Sequence, residues 1–258
     1  MPPEVTTRQN TATSSRGRAG ISPARVPRRA TSSGVFLEKG KPQRGSVDFV
    51  VSEVVRGLYE GRFAPGQKLL ESDLTQRFGV GRGSLREALR RLESEGLVSV
   101  VLNRGARIRM FTRRGARDFF ELIEKVTGMA ARLAAERIRK PADAAVLGDA
   151  SDQLAEAIEA ANYYAIARGR YQYLSCLVAL SDNMELGRLL PRYDGTVIRT
   201  QFRSVYDLKR EREDLVSYRR VAELVAAKDG PGAERVIRKQ VHRAASAVQR
   251  LPDDQFAD

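Results

Sequence analysis

The chain contains a single cysteine and a single histidine among its 258 residues. Because Cys176 is alone, an intrachain disulfide and a zinc site built from several cysteines are both excluded. Thiol and imidazole groups are frequent nucleophiles and general bases, so their scarcity argues against catalysis. No P-loop, GxSxG or metal-hydrolase motif is present either. We therefore expect a protein that is not an enzyme.

Long apolar segments are also missing. The first thirty residues lack the apolar core of a signal peptide, and nowhere do eighteen apolar residues follow one another. These absences predict a cytoplasmic protein without a membrane partner. Acidic residues are the minority charge, with 32 against 45 lysines and arginines, which leaves a net charge of +13.

More than half of the excess positive charge lies in residues 1–45, which hold nine basic and two acidic residues. This segment is rich in Ser, Thr, Pro and Gly, so we predict a disordered basic tail. Such a tail could strengthen nonspecific DNA binding by releasing counterions. A solvated extension or a misassigned start codon fits the composition equally well. The remaining length suits two domains, predicted at 46–111 and 112–252.

The most informative segment is 81–96, which reads GRGSLREALRRLESEG. Its apolar residues recur at helical spacing and form one stripe, while arginines occupy the other faces. The apolar positions are Leu85, Ala88, Leu89 and Leu92, and the basic ones are Arg82, Arg86, Arg90 and Arg91. An upstream helical pattern ends at Phe78, a few residues earlier, which is the spacing of a helix-turn-helix. Downstream, 97–102 and 106–111 predict a β-hairpin around Asn-Arg-Gly.

The segment from about Val47 to Phe111 resembles the winged-helix DNA-binding domain of the GntR family of bacterial regulators. The shared motifs are PGxxL from Pro65, FGVxRxxLREALxxLxxEGLV from Phe78, and an RG pair at the wing tip. One departure is visible, because Gly81 occupies a position where the family usually has serine or threonine. The resemblance implies a transcription factor whose partner is double-stranded DNA.

The predicted recognition helix carries the candidate base-reading residues. Guanine presents two acceptors in the major groove, and these match the forked donors of arginine. We expect Arg86 to read a base and Arg82 to contact a base or a phosphate, and the resemblance assigns both positions to DNA contact. Ser84 lies near the start of this helix, where its hydroxyl could cap a free amide or bind a phosphate.

Further DNA contacts are expected from the rest of the domain. Arg90 and Arg91 lie further along the helix, where a phosphate contact or a solvated face is expected. The resemblance implies a minor-groove contact by Arg104 and Gly105, with an ordinary exposed hairpin as the alternative. A single winged helix buries only about 600 to 1,000 Å² on DNA, so we expect a homodimer on a palindromic operator.

Residues after 112 show repeated helical periodicity with breaks at Pro141, Asn162, Pro191 and near Asp229, which predicts about six helices and no strand. The expected fold class is mainly α: an N-terminal winged helix-turn-helix with a small hairpin wing, then an all-α bundle. This half resembles the FCD-like C-terminal domain of FadR-type regulators through ARLAAERI at 131–138, ALSDN at 179–183 and AAKDGPGA at 226–233. The resemblance implies dimerisation and effector binding.

Many FadR-type proteins bind a divalent metal through one aspartate and three histidines. The corresponding positions here are Arg170, Leu174, Tyr218 and Gln240. None is an ordinary ligand of such a metal, so no metal is expected. The lone His242 lies two residues past a ligand position, on the far helix face, and is expected at the surface or an interface.

The same four residues, if they converge, would form a pocket with one cation, two hydrogen-bonding groups and an apolar wall. That chemistry suits a small carboxylate-containing effector, because a bidentate carboxylate satisfies the fork of a buried arginine. The alternative is a filled core in which Arg170 points outward or pairs with a glutamate.

Two functions fit these observations. The first is a ligand-responsive regulator that acts as a dimer, and the resemblance implies a repressor. The second is an effector-independent architectural DNA-binding protein, which would show weak sequence preference and a steep salt dependence. The residues left after the DNA-binding segment are too few for the pyridoxal-phosphate enzyme fold that some related regulators carry.

Overall fold

The computed structural model describes residues 45–101, 105–189 and 195–258. Within these ranges the chain forms ten α-helices and one three-stranded sheet. This confirms the expected fold class, with a small sheet after the first helices and an all-helical second half. The basic tail and Arg104 lie outside the described residues, so what the sequence predicts for them stays a prediction.

The N-terminal unit is a winged helix-turn-helix. Its helices are α1 (Ser46–Tyr59), α2 (Glu71–Phe78) and α3 (Arg82–Ser94), and its strands are β1 (Lys68–Leu69), β2 (Val98–Val101) and β3 (Gly105–Ile108). Strand β3 is central and antiparallel to both neighbours. The predicted apolar stripe of α3 is buried in the core. Between α2 and α3, Gly79 adopts a left-handed conformation with φ 63° and ends α2.

The C-terminal unit contains seven helices within the described residues. They are α4 (Arg113–Arg137), α5 (Ala145–Glu159), α6 (Tyr163–Leu180), α7 (Met184–Leu189), α8 (Thr196–Gln201), α9 (Leu208–Ala226) and α10 (Gly230–Gln249). Two predicted breaks are helix caps: Asn162 accepts from the amide of Ala165, and Asp229 accepts from that of Gly232. None of the helices in the described ranges is long and apolar enough to cross a membrane.

A single apolar core runs from the winged unit into the bundle. Val54 and Leu58 of α1 belong to the same buried cluster as Ile198 of α8 and Phe202 after it. Beside this core, the Arg203 guanidinium donates to the carbonyl of Leu58 at 2.9 Å and to that of the next residue. The short helix α8 therefore lies at the junction between the two units.

The segment that joins the two units is held by α8 and by the end of the chain. The side chain of Gln201 accepts from the amide of Phe111 at 2.7 Å and donates to its carbonyl at 3.0 Å. The amide of Ala257 donates to the same carbonyl at 3.0 Å. Phe256 is buried against Phe202, with the guanidinium of Arg113 over its ring. These contacts fix the linker on both sides.

Candidate nucleic-acid interface and ligand cavity

The face of α3 opposite its apolar stripe presents Arg82, Arg86 and Arg90, all of them exposed. In the part of the chain that the structure describes, neither Arg82 nor Arg90 has a carboxylate within ion-pair distance. Their charges are therefore available to an external anion. A row of exposed guanidinium groups along one helix is suited to the DNA backbone and to base edges in the major groove.

Arg86 differs from these two arginines because it has a carboxylate partner. Its Nε donates to Oε2 of Glu71, the first residue of α2, at 3.0 Å. The pair spans the turn between the two helices, and the Arg86 side chain remains 64 % exposed. Arg86 is thus held in place while its guanidinium still faces solvent.

The N-terminus of α3 has no side-chain cap. Its N-cap residue is Gly81, and the hydroxyl of Ser84 instead accepts from the hydroxyl of Ser46 at 2.7 Å. The structure therefore does not show the capping role that we considered for Ser84. Backbone amides of the first turn have no intrahelical partners and form a site suited to a phosphate. A Cβ atom at Gly81 would meet nothing within 4 Å.

Arg91 has a different role from its exposed neighbours. Its Nη1 lies 2.6 Å from Oδ1 of Asp48 in α1, and its Nε lies 3.3 Å from Oε1 of Glu95. Burial opposes the positive charge, but the hydrogen bond that Arg91 donates to Asp48 and the charge of Glu95 outweigh it and raise the pKa of Arg91. Arg91 therefore holds α3 against α1, where the sequence suggested a phosphate contact or a solvated side chain.

Gly105 is required by the backbone at the start of β3. Its φ is 83°, and a Cβ atom there would lie 2.9 Å from the carbonyl oxygen of Leu69 in β1. Any other residue would be strained and would push the strands apart. The geometry explains the glycine structurally, and its predicted minor-groove contact stays a prediction.

A cavity of about 70 Å³ lies in the bundle between α4, α6, α8, α9 and α10. Its apolar wall includes Phe119, Phe120, Ile123, Leu174, Ile198 and Ile237. Its polar wall includes Thr127, Arg199, Tyr206, Asp214, Tyr218 and Gln240. The cavity is smaller than the roughly 300 to 1,000 Å³ of typical ligand sites, so in this conformation it has room only for a molecule smaller than a typical ligand.

Three of the four residues predicted for the pocket line this cavity: Leu174, Tyr218 and Gln240. Arg170 is not among the lining residues. Its Nη1 lies 2.6 Å from both carboxylate oxygens of Glu211, and both side chains are buried. This is the glutamate pairing that the sequence left open as the alternative for Arg170.

The cation at the cavity wall is Arg199, which the sequence did not indicate. It lies on the short helix α8, with its guanidinium 4.3 Å from the ring centre of Tyr206. Its Nη1 is 3.4 Å from Glu211, the carboxylate that also holds Arg170. Burial lowers the pKa of Arg199, but the charge of Glu211 outweighs this and raises it overall. Arg199 is therefore a permanent cation.

The buried charges around the cavity do not cancel. The cluster contains three largely buried arginines, Arg170, Arg199 and Arg210, but two carboxylates, Glu211 and Asp214. At its edge a fourth arginine, the 39 % exposed Arg243, lies 4.0 Å from Asp214. Glu211 serves two of these arginines, while Arg210 lies 3.3 Å from Asp214. One positive charge is left over, and a buried surplus charge is unfavourable unless an anion compensates it.

Several polar groups at the cavity wall also have unused hydrogen-bonding capacity. Oε1 of Gln240 is buried without a hydrogen-bond partner in the described part of the chain, and Oδ1 of Asp214 has ion pairs with Arg210 at 3.3 Å and Arg243 at 4.0 Å but no hydrogen bond of good geometry among the described residues. Burial raises the pKa of Asp214, although Arg199 and Arg210 act in the opposite direction. Burial also raises the pKa of Tyr206 to about 12, so its phenol stays protonated as a donor. The cavity thus offers one cation, a phenol donor and the amide oxygen of Gln240 as an acceptor.

The residues at the four metal-ligand positions do not fit a divalent metal. Arg170 is a cation paired with Glu211, and Leu174 has no donor atom. Across the described ranges no three His, Cys, Asp or Glu side chains lie together in a way that could hold a metal ion. His242 is 71 % exposed, with Nδ1 3.8 Å from Glu124. That the protein binds no metal stays a prediction.

Two family models match the chain: bacterial regulatory proteins of the gntR family over residues 47–108, and the FCD domain over residues 118–243. The HTH-type transcriptional regulator YdhC of Bacillus subtilis, described as uncharacterized, is 28% identical over 187 residues, which are 71% of this chain and 82% of YdhC. The HTH-type transcriptional repressor GlaR of Escherichia coli is 38% identical over 80 residues, 31% of this chain and 36% of GlaR.

Among solved structures, Escherichia coli McbR/YncC superimposes with a TM-score of 0.66 at 20% sequence identity. The match covers 80% of this chain and 98% of that one. At this level of identity the likeness shows a shared fold.

Proposed function

Because the chain belongs to the GntR family of transcriptional regulators, with a DNA-binding helix-turn-helix followed by an effector-binding FCD domain, we propose that it is a ligand-responsive repressor that acts as a dimer on a palindromic operator. The observation that carries this proposal is the position of α8. The helix supplies Ile198 and Arg199 to the cavity wall and also packs on the winged unit. One element is thus shared by the two sites.

The DNA-binding side of the proposal rests on the exposed face of α3. Arg82, Arg86 and Arg90 lie on one accessible surface, next to an uncapped helix N-terminus. One winged helix buries about 600 to 1,000 Å², which is small for tight specific binding, so two copies on two half-sites are proposed. We propose repression because the relative GlaR is named as a transcriptional repressor.

The effector that we propose is a short carboxylate, and its anchor is Arg199. The surplus positive charge of the buried cluster supports an anionic ligand. A carboxylate at Arg199 would receive a charge-assisted hydrogen bond in a site from which water is largely excluded. The phenol of Tyr206 would be a second donor at the same wall. Leu174, Tyr218 and Gln240 would contact the rest of the molecule.

Transmission to the winged unit would pass through α8 and its flanks. The hydroxyl of Thr196 accepts from Tyr59 of α1 at 3.4 Å, and Gln201 holds the linker at Phe111. A ligand that shifts Arg199 therefore moves a helix that contacts α1 directly. Coupling of this kind typically amounts to about 1 to 3 kcal/mol, a change of roughly 5- to 150-fold in operator affinity.

The experiment is a titration of the protein–operator complex with a panel of short carboxylates, read by fluorescence anisotropy. At least one acid should change operator affinity about tenfold in the wild type, and Arg199→Gln should remove that response while leaving affinity for DNA without ligand intact. Arg220→Gln is the matched control, because it removes an exposed charge from the same bundle. A response that survives in Arg199→Gln would refute the anchor, and weak binding without sequence preference would favour the architectural alternative.

A further inference from the structure

We infer that Glu71 is a specificity-determining residue of the DNA-binding surface, because it positions Arg86 for reading a base. The inference rests on the proposed function, since it requires that α3 enters the major groove. Glu71 itself belongs to α2, outside the recognition helix. Its contribution would be made through the conformation and charge of Arg86.

The position of the Glu71 carboxylate is well determined by the fold. Glu71 is the first residue of α2, and Leu74 of the same turn is buried in the core that α3 also enters. The two helices therefore hold Glu71 and Arg86 across the turn at a fixed separation. The resulting bond from Nε to Oε2 is 3.0 Å long.

The nitrogen atom by which Arg86 binds Glu71 determines which of its hydrogen-bond donors remain available to DNA. Its Nε is engaged by Glu71, whereas Nη1 and Nη2 have no partner among the described residues. The two terminal nitrogens form the end of the fork that matches O6 and N7 of guanine. Glu71 therefore orders the side chain without occupying the donors that would read the base.

Glu71 also sets Arg86 apart from the other arginines of α3. Arg82 and Arg90 have no carboxylate partner in the described part of the chain, so each can follow the nearest phosphate. The Glu71 carboxylate is 32 % exposed and carries a negative charge at the surface that would face DNA. That charge disfavours a phosphate beside Arg86 more strongly than a neutral base edge. Glu71 should thus reduce nonspecific binding and improve specific binding together.

The test compares full-length Glu71→Ala, Glu71→Gln and Arg86→Ala with the wild type. Each protein is titrated with the selected operator, with operators substituted at single positions, and with a scrambled duplex at one salt concentration. Asp73→Asn is the matched control: it removes one exposed carboxylate charge from the same first turn of α2, but Asp73 does not contact Arg86. Thermal unfolding of each variant reports folding.

We expect Glu71→Ala to lower the ratio of operator to scrambled affinity about tenfold, and to weaken preference mainly at the base position that Arg86→Ala identifies. Glu71→Gln keeps an oxygen acceptor for Nε but loses the charge, so its loss should be smaller. Combined with Arg86→Ala, Glu71→Ala should lower specificity no further. Asp73→Asn should leave the ratio unchanged.

Three results would overturn the inference. They are an equal loss of affinity for all sequences in Glu71→Ala, an equal effect of Asp73→Asn, and full additivity of Glu71→Ala with Arg86→Ala. If Arg86→Ala itself leaves every base preference unchanged, then the proposed DNA-reading surface fails as well. If Arg86→Ala relaxes one position and Glu71→Ala does not, only the role of Glu71 is refuted.

Discussion

Arginine side chains in this chain have different roles, and the neighbours of each one decide which. Arg90 is exposed on α3 and available to an anion, whereas Arg91, the next residue, is held by Asp48 and Glu95. In the bundle, Arg170 is locked to Glu211, and Arg199 is the cation at the cavity wall. A charged residue therefore predicts a binding site only when its local partners are known.

At the residue scale, Arg86→Ala should weaken operator binding by about 1 to 3 kcal/mol and relax preference at one base position. Arg90→Ala should instead weaken binding to all sequences nearly equally and lower the salt slope by about one. The check is the affinity of each variant for the operator and a scrambled duplex at several salt concentrations. Equal loss on both duplexes in Arg86→Ala would contradict the assignment.

Arg91→Ala should destabilise the winged unit by about 1 to 3 kcal/mol, because it removes the ion pairs of Arg91 with Asp48 and with the buried carboxylate of Glu95. Chemical denaturation measures the change in free energy of unfolding. Arg90→Ala is the control, since it removes the neighbouring exposed arginine. If the two variants unfold alike, the contact between α1 and α3 through Arg91 is not stabilising.

A metal analysis tests the prediction that the protein binds no metal, because other residues occupy the four metal-ligand positions of FadR-type regulators. With Arg170, Leu174, Tyr218 and Gln240 in those positions, purified protein should contain no stoichiometric zinc, nickel or manganese. Elemental analysis after dialysis measures this directly, and a chelator should leave the midpoint of thermal unfolding unchanged. One tightly held metal per chain would show that other residues form a site.

The limits of sequence-based prediction are clear for the cavity residues. Leu174, Tyr218 and Gln240 could be placed because the resemblance to FadR-type regulators assigns them to positions on the long helices α6, α9 and α10. Arg199 could not, because it lies on a six-residue helix that shows no full apolar period. Whether Arg170 faces a ligand or pairs with Glu211 could not be predicted, because Glu211 lies 41 positions away in the sequence.

At the scale of elements, helices with local signals were predicted well. Asn162 and Asp229 cap their helices through their own side chains, so both breaks could be recognised from the sequence. Strand β1 was missed because it has two residues, too few for an alternating pattern, and pairs with β3 far along the chain. Its existence depends on tertiary structure that the local sequence does not encode.

The hydrogen bonds between Gln201 of α8 and Phe111 of the linker give a prediction at the scale of elements. Gln201→Ala should lower the free energy of unfolding by about 1 to 3 kcal/mol, because it leaves backbone groups of Phe111 with fewer partners. It should also weaken any ligand effect on operator affinity, since α8 loses its bond to the linker. Urea denaturation measures the first effect. Gln172→Ala, at an exposed position of α6, is the control and should change stability by less than about 0.5 kcal/mol.

At the scale of the whole molecule, the two units are joined by a shared core and by α8. Buried residues of α1, α8 and α10 belong to one cluster, and Phe256 near the end of the chain packs into it. A change at the cavity therefore has a packed path to the helix that supports the recognition surface. This arrangement is the physical basis for proposing a regulator that responds to a ligand.

Specific DNA binding by a dimer is tested most directly by selecting binding sites from random duplex DNA at one stated salt concentration. Affinities are then measured for the selected sequence and a scrambled control. We predict a short palindrome favoured by about a thousandfold or more. If no motif is enriched and both duplexes bind equally, the claim is contradicted and the protein binds DNA without reading its sequence.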